Sequence, residues 1–183
     1  MPRTAPVSVV EAPGSYLTGA LWTAQVKAII DFMAGSGVNG VPRFKGWAST
    51  SQSIVTGATD TPITLDSEDW DSDNGHSTST NTSRYTIQVA GTYRTIAVGG
   101  FTTNAVGNRK LGINVNGANA RGASVQQVSM ASNSWIGAVA VELALVVGDY
   151  VEMVMWHTST TTPLTTAQSV GFGPAMSVCW ISS

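Results

Sequence analysis

The chain has 183 residues, a mass of 19.0 kDa and a net charge of −2, with nine Lys and Arg against eleven Asp and Glu. Charged residues make up 11% of it, against about 25% in ordinary soluble domains, so the surface must be solvated by hydroxyls and amides or covered in an assembly. No broad basic field exists for nucleic acid, and the longest apolar run, Ala138 to Val147, is broken by Glu142 and too short for membrane insertion.

Residues 1–15 are Pro-rich and short of large hydrophobics, the composition of an extended arm that is ordered only by a neighbour. Pro2, Pro6 and Pro13 interrupt any apolar core, so a Sec-type signal is not expected. From Thr18 as N-cap, Trp22, Val26, Ile29 and Met33 fall at i, i+4, i+7 and i+11, one apolar seam on a helix ending at Gly35. One helix cannot bury its own seam. It either packs on the following domain, or trimerises or docks on another protein as an anchor. Ser36-Gly37-Val38-Asn39-Gly40 reads as a flexible joint, which divides an arm and anchoring helix at 1–40 from a globular domain at 41–183. A domain of about 140 residues buries roughly two thirds of its unfolded surface and needs no disulfide or metal to fold.

Strands are expected at Arg43 to Thr50, Gln52 to Val55 and Thr61 to Leu65, then at Tyr85 to Val89, Tyr93 to Phe101 and Leu111 to Val115, where apolar residues recur with a period of two. A shorter strand follows near Ser124 to Met130. Val139 to Leu145 and Val151 to Met155 alternate likewise, and Gly148-Asp149 between them reads as a hairpin turn. A last strand covers Ala175 to Ile181. Eight or more short strands after a single helix indicate an all-β sandwich. Tyr93 to Phe101 is apolar on both faces, with Ile96 and Val98 opposite Tyr93, Ala97 and Phe101, which asks for a second partner such as another subunit. Cys179, the only cysteine, lies between Val178 and Trp180 and is expected to be a buried, inert thiol in a protein assembled in a reducing cytoplasm.

The ordered set Ala90-Gly91-Thr92-Tyr93, Phe101, Asn104, Gly107 with Arg109, Asn116-Gly117 and Val147-Gly148-Asp149-Tyr150-Val151 resembles the jelly-roll heads of the C1q/TNF-like superfamily. It more closely resembles the version in bacteriophage virion proteins of the head-fibre, decoration or minor tail type, and the resemblance spans roughly residues 42 to 183. It implies a C1q/TNF-like jelly-roll β-sandwich behind the arm and short α-helix, closed into a homotrimer. Tyr93, Ile96, Val98, Phe101, Met176 and Trp180 are the interface candidates, and Trp22, Val26, Ile29 and Met33 the anchor to a capsid or tail protein. The expected location is the virion, assembled in the bacterial cytoplasm. The alternative is a receptor- or glycan-binding head of a tail fibre.

Asp69, Asp71 and Asp73 alternate ahead of Gly75 like the start of a calcium loop, but the glycine comes one residue late and the twelfth position is Thr80 rather than Glu. The competing reading is a solvated acidic loop. His76 and His157 are too few for a zinc site, and no Gly-x-Ser-x-Gly elbow surrounds any serine, so no enzyme activity and no cofactor are expected. Trp47, Trp156 and Trp180 lie on expected strands and read as core or interface. Trp70 and Trp135 lie in expected loops and are the candidates for any host-glycan surface.

Overall fold

A computed structural model of the chain describes residues 4–35, 40–57, 59–130 and 134–183. The joint expected at residues 36–40 falls almost wholly outside them. No helix among the described residues is long and apolar enough to cross a membrane.

The N-terminal helix begins where Thr18, in extended geometry, accepts the Leu21 N–H on its hydroxyl at 3.1 Å. It has an α-helical turn at Gly19–Leu21, a π-helical segment at Trp22–Lys27 and an α-helix at Ala28–Ala34. In the middle segment the Ala28 N–H reaches back five residues to the Thr23 carbonyl, which rotates the following residues off the α-helical seam. The side chain that is buried is therefore Phe32, while Met33 is 72% exposed. Trp22 also faces outward, and Val26 and Ile29 are half-buried, so the four-residue seam read from the sequence is corrected to a face centred on Phe32. The arm folds back along this helix: Gln25 Oε1 accepts the Val9 N–H at 3.0 Å, and its amide donates to Glu11.

Twelve strands follow among the described residues: β1 Arg43–Trp47, β2 Ser53–Ile54, β3 Thr61–Pro62, β4 Ser67–Asp71, β5 Arg84–Thr86, β6 Gly91–Phe101, β7 Asn108–Val115, β8 Ala118–Val128, β9 Trp135–Leu145, β10 Tyr150–His157, β11 Leu164–Thr165 and β12 Ala175–Ser182. The first sheet has the order β4-β1-β12-β6-β9, and the second has β3-β10-β7-β8, with β5 on the same edge of β10 as β3. All named pairs are antiparallel, and β2 and β11 pair with each other. The all-β sandwich preceded by a short helix is thus as the alternation predicts. The core lies between the sheets, with Phe44, Tyr93, Ala97, Phe101, Met176 and Val178 from the first against Leu111, Ile113, Val151, Met153 and Met155 from the second.

Two local readings are corrected. Gly148-Asp149 does not close a hairpin, since β9 pairs with β6 in one sheet and β10 with β7 in the other. The turn instead crosses between sheets and is tied down by Asp149, whose carboxylate accepts from the Val146 N–H at 2.9 Å and the Asn116 amide at 2.8 Å. The tight hairpin is the one at Asn116-Gly117, between β7 and β8, where φ values of 52° and 79° supply the left-handed pair that such a turn needs. The acidic segment contains a strand, β4, at the sheet edge.

Candidate functional site

The outward face of the second sheet is covered along β10 and β7, while its β8 edge is exposed. Glu152 is held by Ser83 at 2.8 Å and Arg84 at 3.0 Å, Lys110 is paired with Asp60 at 2.8 Å, and Val154 is fully buried. The Glu152 hydrogen bond in turn holds the Arg84 guanidinium above its ordinary pKa. Among the described residues, the outward face of the first sheet is largely uncovered at Ile96, Ile136, Ala138 and Ala140.

Its residues follow from register. One row reads Trp47, Ala175, Val98 and Ala138, and the next reads Trp70, Lys45, Ser177, Ile96 and Ala140. Ile136 lies beyond them, opposite Gly100. A third row, Arg43, Cys179, Arg94 and Glu142, is polar and closed by an Arg94–Glu142 ion pair at 2.7 Å. Cys179 is therefore exposed and not buried, because β12 alternation turns Met176 and Val178 inward and carries the thiol outward. Small side chains at Ala138, Ala140, Ala175 and Ser177 leave the face flat around Ile96, which is 40% exposed. Such a flat apolar strip is the form of surface that another protein surface covers.

Register also sorts the interface candidates. Tyr93, Phe101 and Met176 point inward and are 0–1% exposed, so they belong to this chain's own core and cannot meet a second subunit. Ile96 and Val98 lie on the bare face. Trp180 sits at the end of the sandwich, where its indole donates to the Ala90 carbonyl at 3.2 Å and meets the Phe32 ring edge-on at 5.2 Å. Trp135 is a correction as well: it opens β9, is 2% exposed and donates to Gln127, so it offers no receptor surface. Trp70 does lie at the surface, on β4, with Lys45 Nζ 5.2 Å from its ring centre.

The aspartates do not converge. Asp69 pairs with Lys45 at 2.6 Å, Asp71 accepts backbone N–H groups of Asp73, Gly75 and His76, and buried Asp73 accepts the Tyr85 hydroxyl at 2.7 Å. Among the described residues no group of three or more His, Cys, Asp or Glu is placed to hold a metal ion. Burial, with the Asp73 charge second, drives the Tyr85 phenol far above its usual range, so it stays a donor.

Neither histidine activates a nucleophile. His157 is fully buried, with Nε2 2.8 Å from the Ile54 carbonyl, to which it donates, and Nδ1 accepting the Ser159 N–H at 3.2 Å. The Ser159 hydroxyl donates to Asn104 instead. His76 is wedged between Glu68 and the Thr82 carbonyl, each at 3.0 Å, and packs on Phe44 at 4.6 Å. Arg109, also buried, spends its guanidinium on the carbonyls of Asn104, Val106 and Asn108 and the Asn104 side chain, and its desolvation lowers its pKa. Sequence reading singled out Asn104, Gly107 and Arg109 as a motif, and the structure gives the reason: the arginine knots the β6–β7 loop.

The fold is an all-β sandwich of the kind seen in C1q/TNF-like jelly rolls. Among solved structures it is similar to the globular domain of zebrafish complement 1qA protein, with a TM-score of 0.56 at 15% identity over 76% of this chain and 97% of that one. It is also similar to murine APRIL at pH 5.0, with a TM-score of 0.57 at 10% identity over 77% of this chain and 99% of that one. No protein-family model matches the sequence, and no curated protein matches it significantly. Each neighbour is matched over nearly its whole length by about three quarters of this chain.

Proposed function

We propose that the chain is a non-enzymatic, homotrimeric structural protein of a bacteriophage virion, a capsid-decoration, head-fibre or minor tail component attached through its N-terminal arm and helix. The observation that carries the trimer is the bare strip Ile96, Val98, Ile136, Ala138 and Ala140, which runs to the unpaired edge of the first sheet at β9. A face on one side of a protomer and an edge on another make a heterologous contact, and such contacts form a ring where the rotation between neighbours closes. The superfamily resemblance gives the ring three members. The virion location rests on the resemblance of the motifs from Ala90 to Val151 to phage proteins, and the added arm and helix fit an attachment device. Light scattering on the full-length protein tests the assembly: three times the 19.0 kDa chain mass is expected, and a stable monomer at micromolar concentration removes the reading. A second reading, a glycan-binding head, is favoured by a groove at the end of the sandwich remote from the helix.

A further inference from the structure

That groove has a volume of about 550 Å³ and runs between the outer face of β1 and the loop leading into β12. Trp47, Pro174 and Ala175 form an apolar wall, with Trp47 40% exposed. Lys45 and Asp69 stand on one rim as an ion pair, each about two-fifths exposed, and Gln168 stands on another. Trp70, 45% exposed, continues the aromatic surface beside Lys45. The size is within the range of small-ligand sites, roughly 300–1,000 Å³.

We propose that this groove binds a neutral hexopyranose unit of a glycan. Lys45 is matched by Asp69, so the site carries no surplus charge to select a phosphate or carboxylate. A purely hydrocarbon ligand would leave that pair unused. A pyranose fits both halves: its C–H face lies on the Trp47 indole, while neighbouring hydroxyls donate to Asp69 and accept from Lys45. The location agrees with an outward-facing receptor site. Ala175, at the groove, and Trp180, where Phe32 of the N-terminal helix docks, are five residues apart on β12, about 17 Å at strand rise. The self-assembly strip occupies the β6–β9 half of the same sheet and leaves the β1–β4 half open. The site rests on the reading that the helix end is the attached end.

Saturation-transfer NMR on the full-length protein, with methyl glycosides of glucose, galactose, mannose, N-acetylglucosamine and rhamnose as probes, tests it. At least one glycoside should receive saturation, strongest along one C–H face. Trp47→Ala and Asp69→Asn should each weaken binding by about tenfold or more, with the fold retained because both side chains are partly exposed. Absence of transfer to every glycoside overturns the site, as does transfer that survives Trp47→Ala. Binding of a proline-rich peptide in place of the glycosides also overturns it. Light scattering on the same samples separates the two readings: a trimer without binding refutes the glycan site, and a monomer that binds supports the site and refutes the trimer.

Discussion

Phe32 and Trp180 meet edge to face, with ring centres 5.2 Å apart and planes at 86°, and Phe32 is the one fully buried side chain among the described residues of the N-terminal helix. An isolated helix of this length is marginal in water, so its order depends on that contact. Phe32→Ala removes a Phe-sized packing term, about 3–5 kcal/mol where fully realised. The expected outcome is loss of helical circular-dichroism signal with little change in the melting temperature of the sandwich. An unchanged helical signal would show that the arm, not Phe32, holds the helix.

Ala140 sits beside Ile96 at the centre of the bare strip. Ala140→Glu adds a charge to each protomer where the proposed trimer is tightest, and an unpaired buried charge costs several kcal/mol. Light scattering should then report the 19.0 kDa monomer, with near-ultraviolet circular dichroism unchanged.

Removal of residues 1–40 should separate assembly from attachment. A chain starting at Val41 is expected to keep the trimer and lose binding to virion particles in a sedimentation assay. Full decoration by the shortened chain would place the anchor on the jelly roll itself.

Two carboxylates set an acid limit. Asp149 is held below its ordinary value of 3.8 by the Asn116 amide first and the Val146 N–H second. Asp66 is lowered by the Ser49 hydroxyl and then the Ser49 N–H. A depressed folded-state pKa stabilises fully above the unfolded value and the contribution is lost as pH falls through the folded one. Urea midpoints should therefore hold above 3.8 and drop below it. Asp149→Asn should make that drop shallower.

His76 packs on Phe44 and bonds Glu68 and the Thr82 carbonyl. His76→Ala should cost about 2–4 kcal/mol by denaturant titration, through the cavity left against Phe44 and the lost contact to Glu68, since the Thr82 carbonyl keeps the Leu65 N–H. Turnover of a glycan or peptide substrate that vanished in this variant would establish an enzyme instead.

Alternation made most strands legible: β6 and β12 bury every second side chain against the other sheet, and β7 and β10 keep the apolar alternation in sequence although several of their outward residues are buried too. β4 was not legible: Ser67-Glu68-Asp69-Trp70-Asp71 is an edge strand with no buried residue, so nothing in its pattern reports its pairing with β1. The supposed hairpin at Gly148 failed for the opposite reason, since two alternating runs around Gly-Asp look the same whether the chain returns in one sheet or crosses to the other. Trp135 follows Ser132-Asn133-Ser134, a loop-like context that hides the start of β9. The helix seam was misplaced because a π turn has no sequence signature in a count of three and four. The groove was invisible in one dimension, as Lys45 and Trp47 on β1 meet Asp69 and Ala175 only through pairing on both sides of that strand.

The position of β12 governs when this molecule can form. Its register joins Arg43 to Cys179 on one side and Arg94 to Cys179 on the other, so the centre of the first sheet is translated long after the β1 strand that it pairs with. At about 5–20 residues per second, β1 waits on the order of ten seconds for its partner. During that interval β1 and β6 present unpaired edges to neighbouring nascent chains on the same message. The sandwich thus cannot close until β12 has left the ribosome, and a stop codon ahead of that strand deletes the middle of a sheet rather than its margin.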